Sequence, residues 1–212
     1  VKIKRISFQF FMVNIPMAKK KETATALSRD KKDRWADHRK WLARAHDVAT
    51  QPVSKGGSPH PSVRVGAVLV DAKGREIASA ANRFAAGVDR RRPERYKDGS
   101  KSLWINCAEQ IALMDALRRN KKVTGTTLYT TLEPCAVCAG MIGELKIAEV
   151  CVPVDAMRRY ARLKSKWKSS IEIGLTKLAE CGTRLVSVDT HVPRPKAKSP
   201  VKSKKAKAGH AS

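Results

Sequence analysis

The chain has 212 residues, 42% of them hydrophobic and 5% aromatic, with 44 Lys and Arg against 19 Asp and Glu. That length suits one domain able to bury a core without disulfides, and five cysteines, an odd number, fit a reducing cytoplasm better than a secreted disulfide framework. The formal charge of +25 is uneven, with +7 in residues 1–32, +7 in residues 193–212 and +11 between them; such a surplus suits anionic substrates or nucleic acid, and equally a solvated basic surface.

Residues 1–13 combine a basic start with an apolar run. Gln9 interrupts the run, no small-residue cleavage site follows, and Lys19, Lys20 and Lys21 come soon after, which argues against secretion. No transmembrane helix is expected. Residues 1–32 are read as a basic, disordered segment, with Met17 as the translation start because the chain begins with Val. From Asp33 to Gln51, Trp35, Trp41, Leu42, Ala45, Val48 and Ala49 recur at helical spacing and predict an amphipathic helix packed on a core. The Gly-, Pro- and Ser-rich stretch 52–61 ends it. Val63–Val70 reads as a buried strand, Asp71–Gly74 as a turn, and Arg75–Asn82 as a second strand. A long polar loop, 83–102, carries Arg90, Arg91, Arg92 and Arg95.

Cys107–Asn120 has the apolar spacing of a helix, through Ile111, Leu113, Met114 and Leu117. A third strand over 126–132 runs into Pro134 and a helix over 135–145, followed by a fourth strand over 147–154. A basic helical region over 155–181 is closed by Gly182, and a fifth strand spans 184–188. Helix, two strands, then alternating helices and strands predict an α/β domain over 33–190, a mixed five-stranded sheet with helices on both faces. Residues 191–212, rich in Lys, Pro and Ala, are read as a disordered tail that binds anions without specificity, nucleic acid included.

The chemistry concentrates in Cys107-Ala108-Glu109 and Glu133-Pro134-Cys135-Ala136-Val137-Cys138. Cys135 and Cys138, three apart at a helix start, share a face and suit one tetrahedral ion, with Cys107 as third ligand and one position left open. An open position is the mark of a catalytic zinc, which acidifies water to a pKa of roughly 7. The positive end of a helix favours thiolates there, and Pro134 suits a first helical position. Glu109, two residues beyond the first ligand, is placed to act as general acid and base on the water. The backbone N–H groups around Ala108, at a helix start, suit a substrate carbonyl. The spacing alone also fits a closed structural zinc site. The arginines of the loop match phosphate oxygens in charge and fork geometry, although surface or subunit contacts would use them equally well; Phe84 and Trp104 could line a base pocket or simply pack.

These motifs resemble the zinc nucleobase deaminases, whose signature is H-x-E followed by P-C-x-x-C with a glutamate that is not a ligand; here Cys107 replaces the histidine. Ser58–Val70, Ala81–Phe84 with Gly87, the long loop, Cys107–Glu109 and Thr130–Ile142 together resemble the deoxycytidylate (dCMP) deaminase branch of the cytidine deaminase-like superfamily, over about residues 35–190. That branch usually carries His at the position of Cys107, whereas free cytidine deaminases use Cys. Transfer-RNA adenosine deaminases and guanine deaminases have a shorter connection than Asn82 to Cys107. The resemblance implies a three-layer fold, Zn2+ as cofactor, Asn82 as a substrate contact, a homo-oligomer and hydrolysis of dCMP to dUMP with release of ammonia. The alternatives are a free cytidine or deoxycytidine deaminase and a polynucleotide deaminase acting on transfer RNA or single-stranded DNA. A non-catalytic zinc protein is disfavoured, because a structural site needs no carboxylate beside an open position.

Overall fold

A computed structural model describes the backbone of residues 17–97, 101–156 and 165–190, and side chains over 34–97, 103–156 and 167–190. Both the 1–16 stretch and the tail after residue 190 lie outside these. The domain is a mixed sheet of five strands, β1 (Gly66–Val70), β2 (Glu76–Ala81), β5 (Thr127–Thr130), β6 (Glu149–Pro153) and β7 (Arg184–Val188), in the order β2-β1-β5-β6-β7. β1 runs antiparallel to β2 and β5, while β5, β6 and β7 are parallel. The helices are α1 (Met17–Thr50), α2 (Lys101–Trp104), α3 (Ala108–Arg118), α4 (Ala136–Glu144) and α5 (Ser165–Glu180). No helix among the described residues is long and apolar enough to cross a membrane.

The alternation of side chains along a strand decides which helix each residue meets. Val68 and Val70 of β1, with Tyr129 and Cys151, pack under Leu42, Ala45 and Val48 of α1. Ala67 and Leu69, with Leu128, Val150 and Val152, pack under Ile111, Leu113 and Ala116 of α3, Ala139 and Ile142 of α4, and Leu178 of α5. The sheet is therefore the middle of three layers, as the sequence pattern predicts. The β1–β2 hairpin closes through the Asp71 carboxylate, which accepts from the Lys73 and Arg75 N–H groups at 2.9 Å each, and Gly74 takes the left-handed conformation the turn requires (φ 72°).

Two regions differ from the sequence reading. The first helix runs back to Met17, so the boundary expected at residue 32 falls inside α1. The stretch 17–32 is rich in Lys and Ala, good helix formers, and continues a helix already nucleated by its packed half. Residues 83–102 are more than a loop. β3 (Arg83–Phe84) pairs antiparallel with β4 (Ile105–Asn106), matching Arg83 to Asn106 and Phe84 to Ile105. Between them lies a short 3₁₀ turn, Pro93–Tyr96, whose Tyr96 hydroxyl donates to the Arg90 carbonyl at 2.8 Å and whose ring meets Phe84 edge-on, 5.3 Å between centroids. A two-residue ladder is too short to show a period in sequence, yet it delivers Cys107 next to the end of β2.

α1 approaches β1 so closely that a Cβ on Gly66 would collide with the Ala45 carbonyl oxygen, a backbone atom that cannot swing away. Gly66→Ala should therefore cost about 1–3 kcal/mol, the usual range for forced overpacking. Urea unfolding of wild type and variant measures this; an unchanged midpoint would mean that the helix stands farther from the strand.

Candidate active site

Cys107 and Cys135 are the N-caps of α3 and α4, each in extended backbone conformation, and Cys138 lies one turn into α4. Local chemistry holds both helix starts in place. The Cys107 N–H donates to the Gln110 side-chain carbonyl at 3.1 Å, the reciprocal half of a capping box. α5 braces the other start: Ser170 Oγ accepts from the Ala136 N–H at 3.3 Å, Lys177 Nζ donates to the Ala136 carbonyl at 3.2 Å, and Gly174 leaves room for the Pro134 carbonyl, with which a Cβ would collide.

The three sulfurs meet within 4.8 Å of one another, with Cys135 Sγ 3.5 Å from Cys138 Sγ. Such crowding makes the thiols compete for protons. Hydrogen bonds from Cys107 and Cys138 push the Cys135 thiol far down, and those same bonds push the other two up. A cation in the place of those protons would let all three be thiolates. Three soft donors converging from two helix N-termini, within ligand-to-ligand reach, fit a zinc ion by chemistry and by spacing.

Glu109, in the first turn of α3, is only 3% exposed. Its Oε1 accepts from the Thr130 hydroxyl at 3.3 Å, and its Oε2 stands 3.9 Å from Cys138 Sγ. Burial pushes its carboxyl up to about 7. Ala108 is fully buried at the start of α3, where the leading N–H groups have no carbonyl one turn back to bond.

Cys107, Glu109 and Cys135 line one cavity with Asn82, His60, Glu133, Trp167 and Ile171. Asn82 is buried, and both ends of its amide hold the chain leading into β1: Oδ1 accepts from the Val65 N–H at 2.9 Å, and Nδ2 donates to the Val63 carbonyl at 3.0 Å. Its turn-stabilising role and its place on the pocket wall therefore coexist. The loop arginines do not line this cavity. Arg90 and Arg91 line a larger cleft, which shares Asn106 with the first and also holds Arg83 and Arg118. Arg92 pairs with Asp89 and Glu94, at 3.7 and 3.9 Å, and Arg95 lies over the Trp104 ring, 4.2 Å from its centroid. Trp104 is thus a platform for Arg95, and Phe84 is buried against Tyr96; neither is a wall of the cysteine cavity.

Sequence reasoning assigned no role to His60, Glu133, Trp167 or Ile171. His60, buried, accepts at Nδ1 from the N–H groups of Ser62 and Val63, at 3.1 and 2.7 Å, and so shapes the loop before β1. Glu133 is buried beside Pro134, its carboxyl held above the ordinary range by burial, and its Oε2 has no hydrogen-bond partner. Trp167 and Ile171 stand four apart on α5; that interval was the only signal for them, hidden in a stretch whose composition is basic.

Residues 37–154 match the family model described as the cytidine and deoxycytidylate deaminase zinc-binding region. A curated Drosophila melanogaster protein, described as a probable deoxycytidylate deaminase, is 33% identical over 113 residues, covering 49% of this chain and 55% of that protein, so the chain spans about half the length of the curated relative it matches. The dCMP deaminase of the cyanophage S-TIM5 is similar in fold. Its apo form aligns with a TM-score of 0.50 at 18% identity over 71% of this chain and 96% of the other, and its complex with dCMP and dUMP with 0.51 at 18% identity over 70% and 93%. With more than half its length matched, cysteines and Glu109 included, the chain belongs to the cytidine and deoxycytidylate deaminase zinc-binding family.

Proposed function

We propose that this protein is a zinc-dependent hydrolytic deaminase of a pyrimidine nucleotide, dCMP foremost, which it converts with water to dUMP and ammonia. One observation carries the reading: three cysteine sulfurs and one buried carboxylate converge, with Cys107, Cys135 and Glu109 lining one cavity and Cys138 buried behind them. Cys107, Cys135 and Cys138 would hold zinc, which when bound supplies acidification of water to a pKa of roughly 7.

The chain's own residues account for the proton traffic. Thr130 holds Glu109 Oε1, which leaves Oε2, the oxygen facing the cysteines, to carry the proton. A carboxyl poised near neutrality can take a proton from water and give it to the ring nitrogen as the remaining hydroxide adds at C4, then take the proton of that new hydroxyl and deliver it to the amine, which departs as ammonia. The Ala108 N–H would donate to the base carbonyl, and Asn82, on the wall, would contact the nucleotide. Arg90 and Arg91 are the loop arginines best suited to a phosphate, since the cleft they line adjoins the base cavity at Asn106. Exposed Met114, Leu117 and Val137 on α3 and α4 support association into a homo-oligomer.

A second reading, a free cytidine or deoxycytidine deaminase, draws on Cys107 and on a base cavity whose lining holds no arginine.

Glu109→Gln should keep zinc and fold while losing about 10² to 10⁴-fold or more in turnover, because one carboxyl acts as both acid and base. Near-normal ammonia release by this variant would remove Glu109 from the chemistry. Its titration gives a separate check on metal-free protein. The folded carboxyl titrates near 7, the unfolded one at about 4.3, so the folded state keeps a proton that the unfolded chain has lost between those values. The resulting stability is present in full below about pH 4.3 and disappears as pH rises through 7, a difference on the order of 3 kcal/mol. Urea midpoints of wild type and Glu109→Gln across that window should differ in slope; parallel curves would mean that the carboxyl is not buried.

Substrate choice is decided by ammonia release from dCMP, cytidylate, deoxycytidine and an adenosine-bearing transfer-RNA stem-loop at one salt concentration. If arginine grips the phosphate, deoxycytidine should be about tenfold or more less efficient than dCMP, from the roughly 1.5–3 kcal/mol of a charged hydrogen bond. Equal efficiency would favour the free-nucleoside reading, and activity confined to the stem-loop would favour a polynucleotide enzyme.

A further inference from the structure

Beneath α1, on the face of the sheet that α3 and α4 do not cover, lies a second group of buried, metal-competent side chains. Cys151 of β6 belongs to the apolar layer under α1, and Glu149, two residues earlier on the same strand, projects to the same side. β5 places Tyr129 in register with Cys151, and α1 lays His38 over them. His38 and Glu149 are each 5% exposed and Cys151 is fully buried.

We propose that His38, Glu149 and Cys151 form a second metal site, which takes a borderline-soft divalent cation of the zinc kind and pins α1 to the sheet. One donor atom from each of the three lies within 4.8 Å of the other two. Cys151 Sγ is 3.5 Å from His38 Nδ1 and 3.4 Å from Glu149 Oε1, and His38 Nε2 is 3.8 Å from Glu149 Oε1. A tetrahedral ion with bonds of about 2.0–2.3 Å sets its ligand atoms about 3.3–3.8 Å apart; Cys151 Sγ and Glu149 Oε1 already stand at that separation, and the His38 ring lies alongside both, Nδ1 towards the sulfur and Nε2 towards the carboxylate, with one nitrogen within 4.8 Å of each.

The surroundings are arranged as metal ligands require. Arg184, matched to Glu149 across the β6–β7 ladder, binds Oε2 and leaves Oε1 turned towards Cys151. The Tyr129 hydroxyl, 3.0 Å from His38 Nδ1, holds the imidazole in the cluster. Outer contacts of this kind orient ligand carboxylates and imidazoles. Imidazole, carboxylate and one thiolate suit zinc, whereas the three-sulfur group on the other face is softer. Binding is balanced by solvent: the cation bonds to Cys151 sulfur, the S–H bond breaks, and one proton goes to water. The site shares no residue with the cysteine cavity and does not depend on the proposed deaminase activity.

Zinc-stripped full-length protein, titrated with zinc and desalted, tests this by elemental analysis. Wild type should hold about two equivalents per chain. His38→Gln and Cys151→Ser should each hold about one, and Cys138→Ser combined with Cys151→Ser should hold none. A wild type whose single equivalent is lost in Cys138→Ser, or His38→Gln and Cys151→Ser variants that keep the wild-type content, would overturn the proposal and leave a hydrogen-bonded cluster in its place. Should a variant fail to fold, cobalt(II) titration of wild type still decides. A second equivalent should add a tetrahedral spectrum with a weaker thiolate charge-transfer band, one sulfur against three; no spectral change beyond the first equivalent would sink the second site. Failure of the cysteine cavity as a metal site would show separately, as unchanged zinc in Cys138→Ser alone.

Discussion

The constraint on which the rest of the domain depends is that two helices must start at the same point. α3 and α4 begin at Cys107 and Cys135, and their first turns gather the sulfurs of Cys107, Cys135 and Cys138 beside Glu109 at one cavity. Helix N-termini suit this task because their positive ends favour thiolates and carboxylates and their leading N–H groups seek acceptors. The convergence is costly without a cation. Three thiols within 4.8 Å of each other compete for protons, and burial raises the Glu109 carboxyl to about 7. An ion that accepted all three sulfurs would relieve that cost.

Holding two helix starts together is the work of the sheet and of elements outside the motif. β5 ends directly before the Pro134 turn, and the β3–β4 ladder brings Asn106 and Cys107 alongside the end of β2. α5 then clamps the α4 start through Ser170, Gly174 and Lys177, and contributes Trp167 and Ile171 to the cavity wall. Asn82 joins the two functions. It closes the β2 end against Val63 and Val65 by side-chain hydrogen bonds, and so sets the wall on which a substrate would lie. The arginines have a different relation to the site. Their loop carries its charge into a neighbouring cleft, so base and phosphate chemistry would be handled by separate walls that meet at Asn106.

α1 gives the opposite face its own polar anchor. Most of its packing is apolar, through Leu42, Ala45 and Val48, but His38 meets Tyr129, Glu149 and Cys151 in a buried cluster. A buried polar cluster restricts the helix to one register more tightly than apolar contacts do, because each unpaired group would carry a desolvation penalty.

Sequence alone determined the five strands, the order of helices between them, the three sulfurs and Glu109. These are local properties: the period of apolar residues marks each element, and the spacing of Cys135 and Cys138 on one helix turn fixes their common face. The last strand was read to the residue, Arg184–Val188, because Gly182 and the helix before it bound it on one side. Only the tertiary structure decided the rest. Which walls complete the cavity depends on His60, Trp167 and Ile171, which stand far from the motif in sequence, and on Glu133, whose place within it does not reveal that its side chain turns into the cavity. Which arginines face which cleft depends on how the 83–102 segment folds over a two-residue ladder. The His38, Glu149 and Cys151 cluster joins residues up to 113 apart through strand register and helix docking. No local spacing encodes such a meeting, because the contacts exist only once α1 lies on the sheet.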